Sequence, residues 1–563
     1  MILKIISVIV AVCGIAYYYL LVHKPFTLKI PSGLNPQYDY IIVGGGTAGS
    51  VLAARLSEDP DVSVLLLEAG HDHYTVPYSH VPAAAPFLQR TKIDWSYMTE
   101  PLEHACKAMV NEQSAWPRGK CLGGTSEINM MVYSRGNAED YNRFESETGV
   151  KGWSYEDVLP YFMKLENAVS ISKEFTELDK EHRGSSGPLH IDFQRERTPI
   201  VQLFMDTVIS MGYATNEDYN RPKTDGYAWM QYFKKDGIRS NPSIAYLEPA
   251  LKRQNLHVVT GAYVTKVLFN EEKKAVGVQY VYESKTQRVL TNREVILSAG
   301  VIGSPQILIL SGIGPAGHLL IFDDIRVVKV LQALGNNLID HVVVDLAYGL
   351  NDSSAAYPMK ELLSPIGAVK AGFEYLTGKK GPLGRIPFEA TAFFRTGYQV
   401  PSNIPDIQVY VSSAVPSLPK IREFVNLRED VYNSTYTNAG KFPATFGLAI
   451  SLVQPKSRGS VRLRSSDPFD PPLIYPNYLS DPQDAKAILE GLKMLASVAR
   501  RDEFQRYEMK TAEQLFPGCD NVELLSPEHL ECLIKHRTLT GYHPMGTCAM
   551  GSSEETSVVD ERL

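Results

Sequence analysis

The sequence predicts an α/β chain, α+β overall, with at least two domains. Three observations carry this. A strand, a glycine-rich turn, a helix and a second strand are packed into Tyr38–Leu67, the pattern of a parallel βαβ unit. A tract over 341–460, rich in Pro and Gly with short β-like runs, reads as part of a mostly antiparallel sheet. The length of 563 residues allows more than one hydrophobic core.

The first element is an apolar run without charge, Ile5–Val22 (IISVIVAVCGIAYYYLLV), which follows Lys4 and ends at His23 and Lys24. It reaches the lower length limit of a membrane-spanning helix, and Tyr17, Tyr18 and Tyr19 suit a membrane interface. A cleaved signal peptide fits equally well. Lys4 supplies the positive start, Ile5–Cys13 the apolar centre, and Gly14-Ile15-Ala16 a small-x-small site. Residues 1–24 are thus expected to be a signal peptide or a membrane anchor. Either delivers the remainder to the secretory pathway, extracellular or membrane-anchored. The sequons Asn351-Asp352-Ser353 and Asn433-Ser434-Thr435 would be usable for glycosylation there.

Residues 25–37 are Pro-punctuated and read as a linker. Tyr38–Val43 is the first strand, Val51–Leu56 has helical spacing, and Val64–Leu67 is a second, continuously apolar strand. Val258–Phe269, Val278–Tyr282, Val295–Leu297 and Ile407–Val411 are strand-like. Asp484–Arg501 places Ala485, Ile488, Leu489, Leu492 and Leu495 on one helical stripe, as core packing requires. The net charge of −7 comes with no Lys/Arg-rich run, so a nucleic-acid partner is not expected. Outside Cys13, the cysteines are Cys106, Cys121, Cys519, Cys532 and Cys548, and no CxxC pair or His/Cys spacing suggests a metal.

Gly44-Gly45-Gly46-Thr47-Ala48-Gly49 fits G-x-G-x-x-G between a strand and a helix. Glycines keep Cβ atoms out of the turn, and the backbone N–H groups of Thr47 and Ala48 at the helix start point toward a pyrophosphate. Glu68 ends the second strand, where a carboxylate accepts hydrogen bonds from a ribose diol. This context predicts a dinucleotide site and leaves FAD or NAD open. Gly123-Gly124-Thr125-Ser126, followed by Asn129, is a second small-residue approach. It would admit the ring end of a long dinucleotide, and on physics alone it is equally a structural loop.

Here the chain resembles the glucose-methanol-choline oxidoreductases. Gly119–Asn129 is similar to the family's first signature, and Ser304–Gly314 (SPQILILSGIG) to its second. Asp94-Trp95, Leu334–Leu338 with Asp340-His341, and Tyr542–Cys548 (YHPMGTC) match in order. Gly237–Leu247, Tyr478–Pro482 and the spacing Cys519, Cys532, His543 resemble the insect branch containing glucose dehydrogenases.

The resemblance implies a Rossmann-like FAD-binding domain of discontinuous segments plus a substrate domain with a mostly antiparallel sheet. Residues 38–340 would be mainly FAD-binding, 341–530 mainly substrate-binding, and 531–563 a return to the FAD domain. Gly44, Gly46, Thr47, Ala48 and Gly49 would cradle the pyrophosphate, Glu68 the ribose, and the backbone of Val264 the adenine. Arg118, Gly119, Gly123, Gly124, Ser126, Asn129, Met130 and Met131 would line the flavin and pyrophosphate. Ile128 stands where some relatives carry a tethering His, so FAD is expected to be non-covalent.

His543 would face the flavin and accept the hydroxyl proton while hydride leaves the alcohol carbon, a task suited to an imidazole of pKa near ~6.5. The substrate would be a small alcohol or sugar, and the electron acceptor a quinone or oxygen. His341 reads as structural. The resemblance further implies a Cys519–Cys532 disulfide, and Ser114 replaces a Cys, leaving Cys106 without its usual bridge partner. It also implies residues beyond Leu563 that would supply a partner for His543, so this chain is expected to be weakened without them. Two other functions fit the same resemblance: a lyase that keeps FAD structurally, and an inactive binding protein that retains the fold.

Overall fold

In the computed structural model, residues 33–169, 179–398, 403–415 and 417–563 are described; Ile5–Val22 lies outside them. No helix among the described residues is long and apolar enough to cross a membrane.

β1 (Gln37–Val43) and β2 (Val64–Glu68) pair in parallel, and all five residues of β2 are buried. A strand covered on both faces must be apolar throughout, which is why VLLL does not alternate. Between them α1 (Thr47–Leu56) turns Gly49, Ser50, Ala53 and Ala54 inward. Gly49 is obligatory: a Cβ there would meet the Gly44 carbonyl oxygen at 1.9 Å.

The stretch Val258–Phe269 is two strands rather than one. The chain bends at Gly261, whose φ of +69° favours glycine. β3 (Leu256–Thr260) therefore joins β2 in parallel, while β4 (Tyr263–Phe269) leads into antiparallel pairing with β5 (Ala275–Tyr282) and β6 (Lys285–Leu297). β6 returns beside β1 in parallel, giving the order β3-β2-β1-β6-β5-β4. From β6 the chain enters α2 (Gly300–Leu310) at the end of the sheet that carries the glycine turn.

The second sheet is antiparallel, as the 341–460 tract suggested. It is built on β7 (Val342–Leu350), β8 (Phe388–Phe394), β9 (Ile407–Ser412) and β10 (Ala444–Leu452). A strand from earlier in the chain, Gly226–Trp229, adds to β8 at one edge. α3 (Pro482–Ala499) buries Ile488, Leu489, Leu492 and Leu495 in the core of this sheet, with Asp481 capping its start. The stripe is core, as its spacing indicated.

Cys519 and Cys532 form a disulfide with Cα atoms 5.8 Å apart, linking the preceding loop to α4 (Pro527–Arg537). Cys106 is a buried free thiol that donates to the Thr538 carbonyl at 3.1 Å. The bridge closes a short loop, with a sequence separation of 13. In the chain-entropy model such a loop stabilises by about 3 kcal/mol. The Cys519→Ser/Cys532→Ser double variant is expected to unfold at a lower temperature by calorimetry; an unchanged midpoint would dismiss that contribution.

Candidate active site

Two groups of side chains meet where the two sheets adjoin. The first is built by glycine. Gly44 has φ +98°, and a Cβ there would meet the Ser298 carbonyl at 2.6 Å. Gly45 donates its N–H to Glu68 at 2.7 Å, and Gly70 donates to the other carboxylate oxygen at 2.7 Å. Burial nonetheless pushes the Glu68 carboxyl up to about 7. The start of α1 has no side-chain cap, so its first N–H groups, at Thr47, Ala48 and Gly49, face outward from the turn.

Gly123 donates to the Gly45 carbonyl at 2.8 Å, and Gly124 backs onto Gly46 so closely that a Cβ on Gly124 would lie 2.7 Å from the Gly46 Cα. The second small-residue approach is thus placed against the first. A Cβ on Gly119 would strike the Gly124 carbonyl at 2.1 Å, so Gly119 belongs to the same contact. Val264 lies on β4, two residues beyond Ala262, whose N–H bonds the Glu68 carbonyl at 2.9 Å. An uncapped helix start, a carboxylate within the turn and backbone packed without Cβ atoms fit an extended dinucleotide such as FAD.

Past this turn the predicted residues diverge. Ser126 bonds back to the Gly123 carbonyl at 2.6 Å. Asn129 is held by the buried Arg239, whose Nη1 reaches its Oδ1 at 2.7 Å. Met130 and Met131 pack with Met230, Tyr232 and Ile386 on the second-sheet side. Ile128 is buried in its own apolar cluster with Val76, Leu88, Ile93 and Cys121. Arg239 was not anticipated; the one available signal is its place inside Gly237–Leu247.

The second group surrounds His543. Its backbone N–H donates to Asp340 Oδ1 at 2.9 Å, while Asp340 Oδ2 accepts from Thr540 Oγ1 at 2.7 Å and from the Tyr478 hydroxyl. Burial pushes Asp340 up to about 6 against those donors and Arg118. Arg118 donates through Nη2 to the Tyr542 carbonyl at 2.7 Å, next to His543. Tyr542 is held at φ +64°, costly for a residue with a Cβ. Thr547, on the same loop, donates to the Val301 carbonyl in the first turn of α2 at 2.6 Å. This ties the His543 loop to the dinucleotide end of the first sheet.

The His543 ring faces His341, with the two Nδ1 atoms 3.0 Å apart. The ring beside His543 is His341, read from the sequence as structural. Burial, with the Arg118 charge, lowers His543 to about 4; burial, with His543, lowers His341 to about 3. The His543 residue as a whole is solvent-exposed. His341 also bonds the Val453 carbonyl, which only accepts. With its Nδ1 turned to His543, His341 is assigned a proton on Nε2 and accepts at Nδ1. His543 then donates from Nδ1 and keeps the Nε2 lone pair, the form a proton acceptor needs.

A mixed sheet whose parallel strands carry a glycine turn adjoins an antiparallel sheet, the architecture of a dinucleotide-binding protein with a second domain. The chain belongs to the GMC oxidoreductase family, whose sequence pattern matches residues 38–343 and 455–563. It is 35% identical over 526 residues to glucose dehydrogenase [FAD, quinone] of Drosophila pseudoobscura pseudoobscura, covering 93% of this chain and 80% of that protein. It is 35% identical over 534 residues to alcohol dehydrogenase [acceptor] of Pseudomonas putida, covering 94% of this chain and 88% of that protein. Among solved structures it is similar to pyridoxine 4-oxidase from Mesorbium loti, with a TM-score of 0.75 at 28% identity over 93% of this chain and 91% of that one. Formate oxidase of Aspergillus oryzae RIB40 shares the fold, with a TM-score of 0.81 at 24% identity over 94% and 91%.

Proposed function

We propose that this protein is an FAD-dependent dehydrogenase of small alcohols or sugars, with His543 as the proton acceptor. The observation that supports it most directly is the neutral His543–His341 pair, joined through Thr547 and α2 to the glycine turn. Gly44, Gly46, Thr47, Ala48 and Gly49 hold the pyrophosphate, Glu68 the ribose, and Val264 the adenine. Gly119, Gly123, Gly124 and Ser126 close over the flavin side, and Asn129, Met130 and Met131 lead to the substrate sheet. When bound, FAD supplies the acceptor for hydride leaving the alcohol carbon.

The chain's own residues manage the proton. His543 Nε2 takes it from the substrate hydroxyl, and His341 keeps Nδ1 of His543 occupied so that the correct nitrogen is free. Asp340 fixes the loop through the His543 N–H, and Arg118 fixes the neighbouring carbonyl. Its positive charge also favours an alkoxide as it forms. The final acceptor is a quinone or oxygen. The disulfide and the apolar Ile5–Val22 segment are consistent with a secretory route, with that segment cleaved or retained as an anchor.

The test is anaerobic addition of a panel of sugars, sterols and simple alcohols to the flavin-loaded protein. Bleaching by at least one alcohol is expected; a stable flavin that none reduces would overturn the reading and favour a lyase or an inactive protein. FAD is held without a covalent bond, because the Ile128 side chain cannot bond a flavin carbon. Acid precipitation is expected to leave yellow flavin in the supernatant; colour retained in the pellet would contradict this.

A further inference from the structure

Behind the second glycine turn lies a buried polar cluster that the redox chemistry leaves unused. His73, His80 and Glu127 each bring one possible ligand atom within 4.8 Å of the others, and all three residues are buried. They come from the turn His73–Thr75, the stretch just before Pro82, and the short helix Thr125–Ile128. No spacing motif links them, so no metal site is legible from the residue order alone.

The protonation of His73 can be assigned. Its Nδ1 lies 3.3 Å from the Leu122 carbonyl, which accepts and cannot donate, so Nδ1 carries the proton. In the neutral ring Nε2 then presents its lone pair inside the protein, where it makes no hydrogen bond, 3.8 Å from Glu248 Oε1. One Glu127 oxygen accepts from the Asn241 amide. The other, Oε1, lies 3.7 Å from His80 Nδ1, and the Ser79 hydroxyl also bonds this carboxylate. An imidazole oriented through one nitrogen by a carbonyl, with the other left for a ligand, is how metal-bound histidines are held.

We propose that His73, His80 and Glu127, with Glu248 as the fourth group, bind a divalent cation of the zinc class. Two imidazoles and two carboxylates suit Zn²⁺, which takes four ligands in a tetrahedron, whereas calcium and magnesium prefer oxygen alone. Ligand bonds of ~2.0–2.1 Å place tetrahedral ligand atoms roughly 3.3 Å apart. The cluster is somewhat wider than this, and side-chain rotation closes it. Burial of His73, His80 and Glu127, with all four groups supplied by protein, marks a structural ion rather than one that meets substrate.

Its position gives it a task. Leu122, which orients His73, directly precedes Gly123 and Gly124, and Glu127 follows them; Gly123 bonds Gly45 at 2.8 Å. The ion would pin the second glycine turn to the segment holding His73 and His80. The competing arrangement has no metal: protonated imidazoles are neutralised by Glu127, Asp72 and Glu248, with Arg239 also facing Glu127.

The flavin-loaded full chain is stripped with dipicolinate, dialysed, and titrated with Zn²⁺ against a chromophoric chelator. One tightly bound equivalent per chain is expected, and Co²⁺ in its place should give ligand-field bands at longer wavelength than the flavin. His73→Gln and Glu127→Gln should each weaken binding at least about 100-fold, beyond the ~10–100-fold typical of outer-shell changes. His182→Ala, in the partly exposed Asp179, Glu181, His182 group, should leave the stoichiometry unchanged. No bound equivalent in the folded wild type overturns the proposal. So does binding that survives both cluster variants, or that His182→Ala abolishes. Should the cluster variants fail to fold, the wild-type stoichiometry and cobalt spectrum decide.

Discussion

His543→Ala slows anaerobic flavin reduction by a substrate alcohol about 10²–10⁴-fold, the span attributed to a positioned general base. Flavin content stays unchanged, because His543 lies on the Asp340 loop and not in the glycine turn. The effect is large because the base is prepared in advance. The Val453 carbonyl sets the His341 tautomer, and His341 in turn frees Nε2 of His543.

The same arrangement sets the pH profile. Burial, followed by Arg118, lowers His543 to about 4, so its basic form persists from neutral pH down to that value. The rate is therefore expected to hold as pH falls through the ordinary histidine range and to drop only as pH approaches about 4. Rapid-scan measurement of flavin bleaching across pH checks both points. An alanine variant that reduces flavin at the wild-type rate removes His543 from the chemistry, and an acid limb near ~6.5 would show that burial does not control the base.

Gly124→Ala strips the protein of flavin while leaving most of the fold intact. Gly124 stands at φ +55°, ψ −139°, a region costing a side-chain-bearing residue about 1–3 kcal/mol. The new Cβ would also lie 2.7 Å from the Gly46 Cα, so backbone must separate from backbone. These are the two turns that close on the dinucleotide. Each ~1.4 kcal/mol of lost fit lowers affinity tenfold, so the purified variant should carry less than about a tenth of the wild-type flavin. Gly152→Ala is the control: its φ is +84°, yet a Cβ there meets nothing within 4 Å. It shares the backbone strain without the collision and should keep its flavin. Equal flavin in wild type and Gly124→Ala would show that the approach of the two turns is not what holds the cofactor.

By itself the sequence determined the parallel βαβ unit, because an apolar strand, a glycine turn and helical spacing are local signals within thirty residues of one another. It also determined the buried stripe of Pro482–Ala499 and the antiparallel character of the later tract, again through period and turn residues. Position in a series of motifs singled out His543 and the Cys519–Cys532 pair.

Tertiary structure decided what lies between distant segments. The His341–His543 pair joins residues 202 apart, and local propensity acts over only a few residues. Gly226–Trp229 joins the second sheet through strand pairing with Phe388–Phe394, and no composition shift marks that crossing. The bend at Gly261 was hidden because Val258–Phe269 is apolar on both sides of it, so the pattern continues while the backbone does not. Gly124 against Gly46, and His73 and His80 against Glu127, arise the same way: packing against the first sheet brings loops together, and the sequence records only their residue types.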